Sequence, residues 1–210
     1  QWQPKASPAN AFGQPSGPLR QLPDEGGSLY LPRHDENAHY APHAINYRAN
    51  VEALLAQGET HALSSYSVGA VDAGLAPGTL VIADQLIDYT WGREHSFFDG
   101  DNVTHAEFAS PVDSQLTQLL QAAAAASGIE VVCGATYACT QGPRLETAAE
   151  VSRLARDGCT LVGMTAMPEL ALLRERGIAA AALCLVVNPA AGVVPGAVDM
   201  QAMQAVATAG

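Results

Sequence analysis

The chain has 210 residues, of which 48% are hydrophobic and 15% charged, so it is not an intrinsically disordered protein and can form an α/β domain with a sizeable core. Its formal net charge of −11 argues against binding to nucleic acid. No run of about 18 apolar residues occurs, so we expect no membrane partner.

In the first half of the chain, the predicted elements are separated by loops. They are, in order, a loop over 1–28 with at most one short strand, a short strand over 28–32, a helix over 46–57, strands over 61–68 and 79–83, and an irregular segment over 88–113. The irregular segment is rich in aromatic and histidine residues, and a loop this long in a compact domain usually has a functional role.

The second half alternates helices and strands. We predict a helix over 114–127, a strand pair or one long strand over 130–140, a helix over 147–157, a strand over 160–162, a helix over 168–176, a strand over 180–187 and a helix from 199. The strand over 180–187 is the most apolar, which favours a central place in the sheet. The pattern predicts a single α/β domain over 1–210, with a mostly parallel or mixed sheet flanked by helices and a ligand site at the carboxyl ends of strands.

The four cysteines are Cys133, Cys139, Cys159 and Cys184, and they show no CxxC spacing. Their apolar or strand-like surroundings predict reduced, buried thiols. No charged segment precedes an apolar one at the N-terminus, so we predict no signal peptide and a cytoplasmic location.

Unusual tripeptides follow several predicted strands, at 32–34, 67–69, 163–165 and 187–189. Lys5 is the only lysine, so a bound anion must be held by arginine, histidine, hydroxyl or backbone N–H groups.

Two groups of residues at these strand ends have alternative interpretations. Arg33 and His34, with Thr165, could hold an oxyanion, or they could be a surface ion-pair partner and a helix N-cap. Glu146 and Asn188 could together read a purine edge, with the carboxylate accepting N1–H and the amide pairing with O6 and N7. Glu146 could equally be a charge in the first turn of a helix.

Metal and nucleotide-binding sites are not predicted. The histidines that invite a zinc site are His34, His39, His43, His95 and His105, but no HExxH motif or Cys/His pair is present. No GxSxG, GxGxxG or GxxxxGK[ST] motif occurs either.

Seven motifs in order then resemble one known family. They lie at 32–34, 46–50, 84–88, 140–147, 163–165, 167–169 and 187–189. Together they are similar to the purine nucleoside phosphorylase and methylthioadenosine phosphorylase family, most of all to its bacterial S-methyl-5′-thioinosine phosphorylase branch, over nearly all of residues 11–206. The resemblance implies the nucleoside phosphorylase fold, a trimer or hexamer, and reversible phosphorolysis of a purine nucleoside, with phosphate as a co-substrate and no metal or organic cofactor.

The resemblance also assigns site residues. Phosphate would be bound by Arg33, His34, Thr165 and the backbone near Ser67, and the base by Leu145, Glu146 and Asn188. Met164 would lie under the ribose, His105 would reach the 5′ pocket of a neighbouring subunit, and Val198 would stand at the 5′ group.

The base and the 5′ group follow from two of these positions. Relatives that use adenine carry an aspartate at the position of Asn188, so the amide implies a 6-oxopurine. At the position of Val198, enzymes for 5′-hydroxyl nucleosides carry a histidine and methylthio enzymes carry an apolar residue. Val198 therefore implies a methylthio group. The alternatives are an inosine or guanosine phosphorylase and a catalytically silent purine-binding homologue.

The sequence departs from the family pattern in four places. The Gly-rich phosphate strand-loop and the end of the C-terminal helix are expected outside these 210 residues. Asp35 stands where glycine is common, and Tyr66 where Thr or Asn is usual.

Overall fold

The computed structural model describes residues 2–5, 7–23, 26–98, 100 and 103–209. The strands are β1 (Gln3–Lys5), β2 (Leu19–Gln21), β3 (Leu29–Tyr30), β4 (His61–Ala70), β5 (Leu80–Asp88), β6 (Val131–Cys139), β7 (Leu161–Gly163) and β8 (Ala179–Pro189). The α-helices are α1 (Tyr47–Leu55), α2 (Ser114–Ala126), α3 (Ala148–Arg156), α4 (Glu169–Glu175) and α5 (Met200–Ala209), and a short 3₁₀ helix spans Pro42–Ala44.

The central sheet closes into a barrel with the strand order β4-β7-β6-β5-β8. β4 and β8 run parallel to each other, β5, β6 and β7 run parallel to one another, and the two groups are antiparallel where they meet. The predicted α/β fold with a mixed sheet is therefore confirmed, and β8 lies between β4 and β5 as its apolar sequence indicated. Closure of the sheet is a feature that the sequence pattern did not predict.

Four of the helices pack on the barrel or on each other. α2, α4 and α5 pack on β8, and α1 packs on α4. On α4, Leu172 and Leu173 are fully buried, and burial of such side chains stabilises a fold by about 1.5–3 kcal/mol each. The charged end of the same helix, Glu169, is thereby held at a defined place beside the barrel.

Beyond Asp88, the last residue of β5, the irregular segment over 88–113 has no regular element in its described residues, as predicted. Two other predictions of element boundaries were wrong. β5 extends to Asp88 rather than ending at Ala83, because a bulge around Ala83 and Gln85 lets the polar Asp84 leave the alternating pattern without ending the strand. The segment over 1–28 holds two strands, β1 and β2, where at most one was predicted, and both join β3, which lies in the predicted strand over 28–32, in a small antiparallel sheet.

All four cysteines are free, and Cys139, Cys159 and Cys184 are buried while Cys133 is exposed. Burial raises the pKa of Cys139 and of Cys184 to about 12, so these two thiols are unreactive at neutral pH. In the described part of the chain, no helix is long and apolar enough to cross a membrane.

Candidate active site

A cavity of about 540 Å³ opens beside the barrel. Nine of the ten side chains that the sequence proposes for the site line it: Arg33, His34, Ser67, Leu145, Glu146, Met164, Thr165, Asn188 and Val198. The tenth, His105, is exposed and does not belong to this lining. Its approach to a neighbouring subunit stays a prediction.

The cavity extends along the outer faces of β4 and β8. On β4, Tyr66 and Val68 are buried whereas Ser65 and Ser67 are exposed, because successive side chains of a strand point to opposite faces. Ser65 and Ser67 line the cavity, and Leu185 on the neighbouring strand lines it too. β4 and β8 run antiparallel to the other strands, so the carboxyl ends of all strands do not meet at one edge. The prediction of a site at the carboxyl ends is therefore incomplete, because residues along β4 and β8 also line the cavity.

Arg33 is held by a network of hydrogen bonds at one end of the cavity. Its Nε donates to Oε2 of Glu169 at 2.6 Å and its Nη2 to Oε1 at 2.8 Å, while Nη1 donates to the carbonyl oxygen of Ser65 at 3.0 Å. The hydroxyl of Tyr66 donates to the same Oε1 at 2.9 Å, and the guanidinium carbon lies 4.8 Å from the centre of the Tyr66 ring. The alternative of an ordinary surface ion pair is therefore wrong, since the Arg33 and Glu169 side chains are only 16% and 13% exposed.

The environment keeps this pair ionised. Burial alone would lower the pKa of Arg33, but the carboxylate of Glu169 more than offsets this effect and the pKa is raised. Burial alone would raise the pKa of Glu169, but its charge attraction and hydrogen bonds to Arg33 outweigh that effect and lower it. The guanidinium thus stays charged, and its charge is partly balanced before any ligand arrives.

His34 and Asp35 lie in a tight turn next to Arg33. Nδ1 of His34 donates to the carbonyl oxygen of Tyr40 at 2.8 Å, because a carbonyl can only accept, and this leaves Nε2 for a ligand. Asp35 has a φ of 68°, a backbone conformation that glycine adopts without steric cost, which fits the expectation of glycine at this position. Its carboxylate accepts from His39 at 2.8 Å, so part of its charge is used within the turn.

Thr165 follows β7. Its backbone N–H donates to the hydroxyl of Tyr137 at 3.4 Å in the core. The alternative that Thr165 is a helix N-cap is wrong, since the N-cap of α4 is Pro168. The Thr165 hydroxyl remains for a ligand. Tyr137 also explains the glycine at 163, because a Cβ there would lie 2.1 Å from its hydroxyl oxygen.

The polar groups proposed for the base are each held in one orientation. The Thr140 hydroxyl donates to Oε1 of Glu146 at 2.5 Å. Nδ2 of Asn188 donates to the carbonyl oxygen of Pro189 at 2.6 Å, so the amide nitrogen and oxygen cannot exchange places without losing this bond. One N–H of Asn188 and its Oδ1 remain for a ligand.

The loop that carries Glu146 is anchored on both sides. After it, Thr147 and Glu150 form a capping box at the start of α3, with hydrogen bonds of 2.7 and 3.1 Å. A hydrogen bond from Arg144 lowers the pKa of Glu150 to about 2, so this carboxylate stays ionised and keeps accepting at neutral pH. The alternative interpretation of Glu146 as a first-turn charge is wrong, since Glu150 has that role.

The remaining wall of the cavity is apolar. Met164 lies against Gly142, where a Cβ would come within 2.4 Å of its sulfur, so the glycine makes room for it. Val198 lines the cavity together with Met203 and Ala207 of α5. Met203 and Ala207 are one helical turn apart, which places both on the same face of the helix.

Arg93 is a functional candidate that sequence reasoning missed. It is 9% exposed, and its N–H groups reach the Tyr47 hydroxyl at 3.4 Å and five acceptors in two loops. Nε donates to the side chain of Gln141, Nη2 to the carbonyl oxygens of Thr140 and Gln141, and Nη1 to those of Met164 and Met167, over distances of 2.5–3.3 Å. One guanidinium therefore joins the loops after β6 and β7, which carry Glu146 and Thr165.

A second missed residue is Glu169, the partner of Arg33. It belongs to the motif at 167–169, one of the seven that carry the resemblance. Its place in that motif could have identified it as a candidate site residue. Arg93 lies in the irregular segment over 88–113, whose length marked it as functional without indicating which residue matters.

The described residues contain no group of three His, Cys, Asp or Glu side chains that could hold a metal ion. His34 and His39, which invited a zinc site, have their Nδ1 atoms bonded to Tyr40 and Asp35 respectively.

Comparison with known proteins gives consistent results. The family model described as the phosphorylase superfamily matches residues 21–209. A probable S-methyl-5′-thioinosine phosphorylase of Xanthomonas campestris pv. campestris is 46% identical over 184 residues, which cover 86% of this chain and 74% of the relative. A probable 6-oxopurine nucleoside phosphorylase of Thermococcus kodakarensis is 41% identical, over 80% of this chain and 65% of the relative. A solved methylthioadenosine phosphorylase from Schistosoma mansoni, in complex with adenine, superposes with a TM-score of 0.90 at 27% identity, covering 100% of this chain and 81% of that one.

Proposed function

The chain belongs to the phosphorylase superfamily and is a pentosyltransferase of the nucleoside phosphorylase type, and we propose that its substrate is S-methyl-5′-thioinosine. The reaction is the reversible phosphorolysis of this 6-oxopurine nucleoside to hypoxanthine and 5-methylthioribose 1-phosphate. The observation that carries the proposal is the pairing of Glu146 with Asn188 in a cavity whose far wall is apolar.

The polar pair favours a 6-oxopurine. The Glu146 carboxylate can accept a hydrogen bond from N1–H, which 6-oxopurines have and 6-aminopurines lack. The free N–H of Asn188 can donate to O6 or N7, whereas an amino group at position 6 would meet it as a second donor. The wrong base therefore leaves these two partly buried groups unpaired, which is a basis for discrimination.

The apolar wall favours a methylthio group at the 5′ position. Val198 and Met203 offer a thioether favourable contacts, but they give a 5′-hydroxyl no hydrogen-bond partner. Relatives named as probable S-methyl-5′-thioinosine phosphorylases support the same choice.

The mechanism rests on positioning and electrostatics. The bond between C1′ and the purine N9 breaks first, its electron pair goes to the base, and the sugar becomes a cation resembling an oxocarbenium ion. Phosphate held by Arg33, His34, Ser67 and Thr165 stabilises this cation and then bonds to C1′ through one of its oxygens. Asn188 stabilises the charge that develops on the leaving purine, so no covalent intermediate with the enzyme is required and phosphate is the only co-substrate.

A phosphorolysis screen tests the proposal. The purified chain is assayed with methylthioinosine, inosine, guanosine and methylthioadenosine, each with and without phosphate. We expect phosphate-dependent release of hypoxanthine, fastest from methylthioinosine. A higher kcat/KM for inosine would favour the inosine or guanosine phosphorylase, and no release from any nucleoside would favour the silent purine-binding homologue.

The choice at the 5′ position gives a specific prediction. Val198→His introduces a hydrogen-bond partner for a 5′-hydroxyl and removes an apolar contact, so the ratio of kcat/KM for methylthioinosine over inosine should fall roughly 10-fold or more. Val194→His, in the exposed part of the same loop, is the control and should leave the ratio unchanged. An unchanged ratio in Val198→His would remove the argument for the methylthio group.

The proposal also covers the oligomeric state, the role of His105 in the oligomer and the cellular location. We propose a homotrimer or hexamer in which His105, exposed in the single chain, completes the 5′ pocket of a neighbour. A cytoplasmic location is supported by the four free cysteines. Sedimentation of the purified chain tests the assembly directly.

A further inference from the structure

Part of the Arg33 guanidinium is already hydrogen-bonded, and only its terminal nitrogens keep unused N–H donors. An arginine has five N–H donors in a planar fork. Glu169 takes the Nε–H and one N–H of Nη2, and the carbonyl of Ser65 takes one N–H of Nη1. Two donors remain, one on each terminal nitrogen, and Arg33 lines the cavity.

This arrangement is suited to an oxyanion. Two N–H groups on adjacent terminal nitrogens are the pair that binds two oxygens of a phosphate in parallel. A guanidinium can offer a ligand either the N–H pair of Nε and one Nη or the N–H pair of the two Nη atoms. On a flexible side chain with no partner at Nε, both arrangements would be available. The bidentate contact with Glu169 removes that freedom.

Tyr66 restrains the carboxylate in turn. Its hydroxyl donates to Oε1 of Glu169, the same oxygen that accepts from Nη2 of Arg33. Its ring lies under the guanidinium and packs edge-on against Tyr137, with the two ring centres 5.5 Å apart. The tyrosine is only 3% exposed, so it is part of the core as well as of the site.

We propose that Glu169 and Tyr66 are positioning residues of the phosphate site: Glu169 holds Arg33 by its Nε edge so that the two remaining N–H groups bind phosphate, and Tyr66 fixes Glu169. Neither residue has to touch the phosphate. The inference rests on the proposed function only in taking inorganic phosphate as the co-substrate.

The test uses Glu169→Gln and Tyr66→Phe in the full chain. The glutamine keeps the shape but places an NH₂ group against the Arg33 donors, and the phenylalanine removes one hydrogen bond and keeps the ring. We expect the KM for phosphate to rise about 10-fold or more in Glu169→Gln and about 3-fold in Tyr66→Phe, while the KM for the nucleoside changes less than about 2-fold. The conservative variant Glu169→Asp, which keeps the charge, should recover part of the loss.

Glu175→Gln is the matched control. Glu175 lies on the same helix and accepts hydrogen bonds from the Ser96 hydroxyl and the Phe97 N–H, each at 2.8 Å, but it is outside the cavity. It should leave the KM for phosphate unchanged. If Glu169→Gln and Glu175→Gln changed the KM for phosphate and the KM for the nucleoside by equal factors, the role of Glu169 would be merely structural and the inference would be overturned. Tighter phosphate binding by Glu169→Gln would also overturn it, because Glu169 would then compete with phosphate for Arg33.

A second readout separates this inference from the proposed function. Phosphate that binds the native state raises the unfolding temperature, whether or not the chain turns over a nucleoside. If the wild type releases no base but is stabilised by phosphate, the proposed function fails while loss of this stabilisation in Glu169→Gln still supports the positioning role. A wild type that phosphate does not stabilise, and that shows no phosphate-dependent turnover, overturns the inference.

Discussion

Asn188→Asp is expected to reverse the base preference, lowering the ratio of kcat/KM for methylthioinosine over methylthioadenosine on the order of 100-fold or more. The carboxylate that replaces the amide can only accept when ionised. It loses the N–H that pairs with O6 or N7 of a 6-oxopurine, and it can accept from a 6-amino group instead. Initial rates with the two nucleosides at saturating phosphate measure the ratio.

The structure adds a reason why the 6-oxopurine should suffer strongly. Nδ2 of Asn188 is 2.6 Å from the carbonyl oxygen of Pro189, and a carboxylate oxygen cannot remain at that distance from another acceptor. The aspartate must therefore turn, which moves the group that reads the base. The absolute gain for methylthioadenosine should be small, because Glu146 still faces a purine N1 that has no hydrogen to donate.

Asn188→Ala separates edge reading from general damage. Alanine removes the donor without adding an acceptor, so it should reduce turnover of both nucleosides and shift their ratio much less than aspartate does. If Asn188→Asp lowered both activities by the same factor, Glu146 and the shape of the cavity would have to account for the base preference.

The residues proposed to touch ligands were largely predictable from the sequence, whereas the residues that support them were not. Arg33, Glu146 and Asn188 lie in short motifs whose order and spacing carry the family resemblance. The motifs predict each of these residues just after a strand; in the folded chain Asn188 is the second-last residue of β8, and all three line one cavity.

The supporting contacts depend on pairings over long distances in the chain. Glu169 reaches Arg33 across 136 positions, and no local pattern indicates that contact. The prediction of a site at one sheet edge was incomplete for a related reason: strand direction in a mixed barrel depends on which strands become neighbours, as in the antiparallel pairing of Gly69 with Val162. Sequence periodicity indicates a strand and its buried face but not its partner.

Arg93 is the support with the largest expected effect. Arg93→Ala removes a donor from five acceptors in two loops, of which the Gln141 side chain still accepts from the Trp91 N–H, and it creates a cavity in a buried region. Each buried acceptor left unpaired costs about 1–3 kcal/mol unless water replaces the donor. We expect the free energy of unfolding to fall by about 3–5 kcal/mol, which corresponds to roughly 10 °C in Tm for a chain of this size. Thermal and urea unfolding measure the change.

Arg93→Lys shows whether this residue also positions the site. Lysine keeps the charge but has three donors, so at least two of the five acceptors lose their partner. The loops after β6 and β7 should shift enough to lower kcat/KM for the nucleoside about 10-fold or more, because small displacements of groups that stabilise a transition state are costly. Arg153→Ala, on α3, is the control. Its side chain is 67% exposed and pairs with Asp157 at the surface, so its loss should change both stability and base preference little. If Arg93→Lys folded stably with wild-type kcat/KM, the two loops would have to hold Glu146 and Thr165 in place without the guanidinium.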